Sequence, residues 1–96
     1  HTKLLGKNIQ KVAICGGAGS FLISKAASIG ADIYVTADIK YHEFFDANDT
    51  MVVADIGHWE SEQFTSELLV NVLQQNFPTF AVLKSSVNTN PVEYFL

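Results

Sequence analysis

Basic residues and cysteine are scarce in this 96-residue chain. It has no arginine and six lysines against ten acidic residues, which gives a formal net charge of −4 with the three histidines neutral. Nucleic-acid-binding proteins gain much of their affinity from cations placed on phosphates, so this composition argues against nucleic acid as a partner. One cysteine cannot form an internal disulfide framework, which favours a reducing compartment.

Long apolar runs are also absent. No stretch approaches the ~20 apolar residues needed to span a bilayer, and no signal peptide opens the chain, so we expect a cytoplasmic protein without a membrane partner. Hydrophobic residues at 48% and charged residues at 17% exclude a disordered chain and suggest that some apolar surface meets a partner. The length fits one small domain without an internal boundary, and the start at His1 suggests a processed product or a fragment.

Short apolar segments alternate with helical ones along the chain. The strand candidates are Lys11–Cys15, Asp32–Thr36, Met51–Ile56 and Phe80–Leu83; the helix candidates are Phe21–Ile29, about Lys40–Asp46, and a long segment that follows Gly57 and ends at Asn76–Pro78. The first strand is apolar without alternation, which is typical of a strand covered on both faces. The order βαβαβαβ predicts an α/β fold with a mostly parallel sheet of about four strands and helical crossovers.

Both internal histidines and the glycine cluster follow strands of this predicted sheet. Ligands of parallel α/β sheets bind beyond the carboxyl ends of the strands, where the loops into the helices gather. We therefore expect the candidate residues of any functional site to meet at this edge.

His58 and Glu62 follow the third strand and are four residues apart. On a helix that begins near His58 they share one face, and an imidazole with a carboxylate forms half of a divalent-metal site. Two ligands do not by themselves make a metal site. The alternative is that both glutamates, Glu60 and Glu62, only stabilise the start of the helix and that His58 is an ordinary surface or core histidine.

Asp38 and His42 follow the second strand with the same spacing. Both side chains could project into one cleft, where they would act as catalytic residues, and the near-neutral pKa of histidine suits His42 to acid–base work. Asp38 could instead cap the following helix through its carboxylate, and His42 could be a partly buried structural histidine.

The glycine segment that follows the first strand is a candidate cofactor-binding loop, in which Gly16, Gly17, Gly19 and Ser20 offer backbone N–H groups to an anion. It is not a dinucleotide fingerprint, because Leu22 occupies the position of the third glycine, and no Gly-Lys-Ser or Gly-Lys-Thr of a phosphate loop follows. A plain tight turn between strand and helix is the alternative.

Taken in order, several segments resemble the carboxyl-terminal part of the Nif-three-like family (NGG-one-interacting factor three), whose members also carry the name GTP cyclohydrolase I type two homologue. The resemblance covers nearly the whole chain. The segments that carry it are Val12–Ser20, Gly30–His42 with its Thr-x-Asp-x-x-x-His element, Asp55–Glu62 with its Gly-His-x-x-x-Glu element, and Asn90–Val92.

The resemblance implies a dinuclear divalent-metal site shared by two halves of one domain. His58 and Glu62 match two family ligands, which favours metal ligation over the structural alternative; Zn, Mn and Fe are not distinguished. The other ligands, two histidines and an aspartate, would come from the missing amino-terminal half of the same protein. Residues 1–96 would then be a single carboxyl-terminal lobe, half of a Nif-three-like domain, and the full protein a homo-oligomer, often a hexamer.

Three functions remain open from the sequence. The first is a metal-dependent hydrolase that acts on a nucleotide or a related small molecule. The second is a non-catalytic assembly or regulatory protein whose metals are structural. The third is a nucleotide-binding module that uses the glycine segment without metal chemistry. A serine hydrolase is disfavoured, because no serine lies in a Gly-x-Ser-x-Gly context.

Overall fold

The computed structural model describes residues 1–95. The chain divides into two compact units, His1–Glu62 and Gln63–Leu96. The first unit contains the sheet and the second contains one long helix. In the described residues, no helix is both long and apolar enough to cross a bilayer. The prediction of a single lobe of a larger domain concerns the longer protein and stays a prediction.

The sheet of the first unit has three parallel strands, β1 (Val12–Ala18), β2 (Ile33–Ala37) and β3 (Val52–Asp55), in the order β1-β2-β3. This confirms the predicted parallel α/β fold, with three strands where about four were expected. The predicted fourth strand, Phe80–Leu83, is wrong: the segment pairs with no strand in the described residues, and the Leu83 side chain is 91% exposed. An extended segment without a hydrogen-bonding neighbour is not stable as a strand.

Short helical segments connect the strands. Between β1 and β2, a 3-10 turn (Ser20–Leu22) leads into helix α1 (Ile23–Ser28), which ends before Gly30, a glycine with a left-handed φ of +72°. A 3-10 helix (Tyr41–Ala47) connects β2 to β3. Both connections lie where the sequence predicts helices, and the second is wound more tightly than an α-helix.

The core lies on one face of the sheet. Tyr34 and Val53 point from neighbouring strands into a cluster with Ile23 of α1 and Met51, all 2% exposed or less. On β1, by contrast, the Ile14 side chain is 75% exposed. The prediction of a first strand covered on both faces is therefore wrong within the unit His1–Glu62, because no element of that unit packs over this part of β1.

The long helix predicted after Gly57 is two helices, α2 (His58–Glu62) and α3 (Thr65–Asn76). The Ser61 hydroxyl donates to the His58 carbonyl at 2.8 Å, a contact that competes with helical backbone bonding. A turn at Gln63–Phe64 then separates α2 from α3. Within the second unit, α3 ends at the predicted position, and Lys84 lies 3.8 Å from Glu67.

Candidate functional site

His58 lies between two carboxylates at the carboxyl edge of the sheet. Its Nδ1 is 2.6 Å from Oδ2 of Asp38, and its Nε2 is 3.2 Å from Oε2 of Glu62. His58 and Glu62 share one face of α2, as their spacing predicts. About half of each of these three side chains is exposed, so the cluster is open to a ligand or a partner.

Asp38 follows β2 with a φ of +55°, in the left-handed region that aspartate tolerates better than most residues. The alternative role as a helix cap is wrong. The 3-10 helix begins three residues later, and the N–H of its preceding residue, Lys40, donates to Oε2 of Glu43 at 2.8 Å. The Asp38 carboxylate faces the imidazole of His58 instead.

His42 lies on the 3-10 helix with an exposed side chain. In the part of the chain that the structure describes, it makes no hydrogen bond or ion pair with Asp38 or His58. The structure thus brings Asp38 to His58 rather than to His42. The catalytic roles of Asp38 and His42 stay predictions.

The glycine segment is largely part of β1 rather than a free loop, because Gly16 and Gly17 lie within the strand where its register with β2 shifts. The Gly17 N–H donates to the Ser61 hydroxyl at 2.8 Å, so α2 already uses this group. Gly17 has a φ of +65°, and a Cβ there would collide with the Glu62 carboxylate and lie 3.2 Å from Nε2 of His58. Glycine is required here so that the histidine–glutamate pair can approach the strand.

Gly19 is glycine for a different reason. A Cβ there would collide with the Thr36 hydroxyl and lie 2.7 Å from the hydroxyl oxygen of Tyr34. The Tyr34 hydroxyl donates to the Gly19 carbonyl at 2.8 Å, and the Thr36 hydroxyl donates to the Gly17 carbonyl at 3.1 Å. Two buried side chains thus hold the glycine segment against the sheet. Its predicted role in cofactor binding, Ser20 included, stays a prediction.

Asp55, the last residue of β3, also belongs to the site, although no sequence pattern singles it out as a functional residue. Its Oδ2 accepts the N–H of Ile39 and its Oδ1 accepts the N–H of Gly57, both at 3.0 Å. Local sequence offers a signal for the second bond only, since aspartate often accepts the N–H two residues ahead. The first bond joins residues 16 positions apart and becomes visible only in the fold.

The carboxylates around His58 favour its charged form. The hydrogen bond with Asp38 is the largest cause that raises the pKa of His58, followed by the negative charge of Asp38 and then by Glu62. The imidazole therefore holds its proton to a higher pH than an isolated histidine.

The donor set fits a divalent metal ion. Nε2 of His58 and the Glu62 carboxylate are the ligand types that Zn, Mn and Fe accept, and the space that they share is the space that a Cβ on Gly17 would fill. Asp38 on Nδ1 matches the carboxylate that commonly orients a metal-binding histidine. Within residues 1–95 no third histidine, cysteine or acid completes such a group, so the chain offers two donors.

The fold and the site define a parallel α/β unit with a histidine–carboxylate pair at the carboxyl edge of its sheet. A family model described as Duf34/NIF3 (NGG1p interacting factor 3) matches residues 1–91. The chain belongs to this family, which confirms the resemblance seen in the sequence.

Two relatives named GTP cyclohydrolase 1 type 2 homolog support this assignment. The protein from Campylobacter jejuni is 38% identical over 90 residues, which cover 93% of this chain and 35% of that protein. The protein from Streptococcus pneumoniae is 34% identical over 94 residues, which cover 94% of this chain and 36% of that protein. The chain thus spans about a third of the length of these relatives.

Crystal structures agree with the sequence relatives. A Staphylococcus aureus protein matches 91% of this chain with a TM-score of 0.70 and 34% identity, and the match covers 30% of that chain. A Bacillus cereus protein related to NIF3 also matches 91% of this chain, with a TM-score of 0.67, 30% identity and 25% of its own chain covered.

Proposed function

We propose that this chain supplies two ligands, His58 and Glu62, to a dinuclear divalent-metal centre. The remaining ligands come from the amino-terminal half of the longer protein. The observation that carries the proposal is the arrangement of His58 between Asp38 and Glu62, with Nε2 facing the glutamate and Nδ1 held by the aspartate.

Binding of a cation requires the Nε2 lone pair of His58. When the proton on Nε2 leaves, Asp38 keeps the Nδ1 proton in place and fixes the ring orientation, so that Nε2 and the Glu62 carboxylate face the same point. Divalent ions bound there would lower the pKa of a bound water and polarise a phosphoryl or carbonyl oxygen.

The reaction that we propose is metal-dependent hydrolysis of a nucleotide or a related small molecule by the full protein, which we expect to be a homo-oligomer. Support comes from the name GTP cyclohydrolase 1 type 2 homolog that the relatives carry. The half-exposed cluster leaves room for a substrate, and Asp38 and His42 are the proposed proton carriers.

The test counts metal ions in the full-length protein that carries this chain. We expect about two divalent ions per chain in the wild type and a loss of at least one after His58→Ala or Glu62→Gln. Glu67→Gln is the matched control, because Glu67 is paired with Lys84. Unchanged metal content in both site variants would contradict the ligand assignment.

A substrate screen with added Mn²⁺, Zn²⁺ or Fe²⁺ then tests the reaction. We expect hydrolysis of at least one nucleotide by the wild type and by Glu67→Gln, and loss of that activity in His58→Ala. Full metal binding without any hydrolysis would overturn the hydrolase proposal and favour an assembly or regulatory protein with structural metals.

A further inference from the structure

Asp55 joins the two loops that hold the cluster. Its carboxylate accepts the N–H of Ile39, which directly follows Asp38, and the N–H of Gly57, which directly precedes His58. Each oxygen makes one bond of 3.0 Å. The two residues whose side chains meet at 2.6 Å are therefore both attached, through a neighbouring peptide, to one carboxylate.

One of the two loops adopts a backbone conformation that needs support. Asp38 has a φ of +55°, whereas Gly57, with a φ of +86°, is a glycine and adopts this region without steric cost. A non-glycine residue in the left-handed region costs on the order of 1 kcal/mol and persists only where surrounding contacts hold it. The bond from the N–H of Ile39 to Asp55 supplies such a contact directly after Asp38, and the bond from Gly57 holds the position directly before His58.

Asp32, at the amino end of the sheet, differs from Asp55 in how its carboxylate binds backbone N–H groups. Asp32 also accepts two backbone N–H groups, those of Gln10 and Lys11, but it uses a single oxygen and binds neighbours along one segment. Asp55 uses both oxygens and joins segments that follow two different strands. The arrangement at Asp55 thus fixes the distance between two loops.

We propose that Asp55 is a positioning residue that aligns Asp38 with His58 and thereby presents Nε2 of His58 for metal binding. The claim that Asp55 presents Nε2 of His58 for metal binding rests on the proposed function. The claim that Asp55 aligns Asp38 with His58 concerns residues of this chain only and does not depend on a bound metal.

Asp55→Asn is the appropriate variant because it keeps the shape of the side chain. The asparagine amide has one oxygen and one NH₂ group. Its oxygen still accepts one of the two backbone N–H groups, but its NH₂ group faces the other N–H, so that two donors meet and no hydrogen bond forms there. Asp32→Asn is the matched control: it removes the same charge, but one amide oxygen still accepts both N–H groups.

The first readout is the tautomer of His58 in the metal-free 96-residue chain, measured by ¹⁵N NMR at alkaline pH where the ring is neutral. We expect the wild type and Asp32→Asn to carry the proton on Nδ1, and Asp55→Asn to show a mixture of both tautomers. An unchanged tautomer in a folded Asp55→Asn protein would overturn the proposal, and loss of the tautomer in Asp32→Asn would show a general structural effect instead.

The second readout is Zn²⁺ affinity of the full-length protein. We expect a loss of about ten- to hundredfold in Asp55→Asn, typical of residues that orient a metal ligand, and a change within about twofold in Asp32→Asn. If His58→Ala leaves Zn²⁺ affinity unchanged, the proposed function fails, while the tautomer result still decides the alignment.

If Asp55→Asn does not fold, amide hydrogen exchange of the wild type decides the question. We expect the amides of Ile39 and Gly57 to be protected, since both donate to Asp55. Exchange of either amide at the rate of an unstructured peptide would overturn the proposal.

Discussion

Each end of the parallel sheet has an aspartate that accepts two backbone N–H groups, but the charged side chains around the two aspartates differ. At the amino end, Asp32 accepts two backbone N–H groups and lies 3.5 Å from the ammonium group of Lys7. At the carboxyl end, no lysine pairs with Asp38, Asp55 or Glu62 in the described residues, and the side chain between two of the carboxylates is the imidazole of His58. A lysine keeps its charge at neutral pH, whereas a histidine can release its proton. One end is therefore fixed in charge near neutral pH, and the charge at the other end depends on pH.

The largest expected difference between the two ends of the sheet is in Zn²⁺ affinity, and the pair Gly17→Ala and Gly30→Ala measures it. Both glycines have a left-handed φ, so alanine should lower the free energy of unfolding by about 1–2 kcal/mol at either position. A Cβ at Gly30 meets only the Lys11 ammonium at 3.9 Å, whereas one at Gly17 collides with Glu62. We expect Zn²⁺ affinity of the full-length protein to fall at least tenfold in Gly17→Ala alone.

Urea unfolding and Zn²⁺ titration of the same two variants measure these effects. Equal losses of Zn²⁺ affinity at both positions would remove the distinction between the ends, because the strain common to both glycines would then explain the result.

The pH dependence of stability should differ in sign between the ends. Bonds from Gln10 and Lys11 lower the pKa of Asp32, so its stabilisation is present above the unfolded pKa, near 3.8, and is lost as pH falls through the folded value. Asp38 raises the pKa of His58, so that stabilisation is present below about 6.5 and is lost as pH rises through the folded value.

Unfolding curves of the metal-free chain from acid to alkaline pH test this contrast. The destabilisation caused by Asp32→Asn should become smaller in strong acid, and that caused by Asp38→Asn should become smaller in alkaline solution, where the charge of His58 is lost but its Nδ1 hydrogen bond to Asp38 remains. Zn²⁺ affinity of the full-length protein should rise up to about tenfold per pH unit below the raised pKa of His58, because one proton competes with the metal. A pH-independent affinity would contradict a role for His58 as a ligand.

Tyr34→Phe has the smallest expected effect on Zn²⁺ affinity and tests whether the site extends into the core. It removes the buried hydrogen bond to the Gly19 carbonyl, which should cost about 1–2 kcal/mol while Zn²⁺ affinity stays unchanged. Tyr41→Phe is the control, because the Tyr41 side chain is 82% exposed and we expect no change in stability. Weaker Zn²⁺ binding in Tyr34→Phe would extend the site into the core.

The sequence predicts the fold well where local pattern decides it. The apolar segments of β1, β2 and β3, the stop at Gly30 and the end of α3 before Pro78 follow from periodicity and from the backbone limits of glycine and proline. The fourth strand was wrong because pairing depends on a neighbour, which a short apolar run does not specify.

The site was predictable only in part for the same reason. The i, i+4 spacing of His58 and Glu62 is local, and the structure confirms their shared face. The contact of Asp38 with His58 and the bonds from Ile39 and Gly57 to Asp55 depend on strand register and loop geometry. Spacing linked Asp38 to His42 instead, because it compares only positions within one segment.

The left-handed backbone of Asp38 narrows the range of acceptable substitutions. Glycine and asparagine tolerate this conformation but lack the negative charge, and glutamate keeps the charge but is poorly suited to the backbone. Aspartate is the residue that meets both requirements. In a library randomised at this codon and selected for metal retention, we therefore expect aspartate to dominate the survivors, with asparagine as the most frequent substitute.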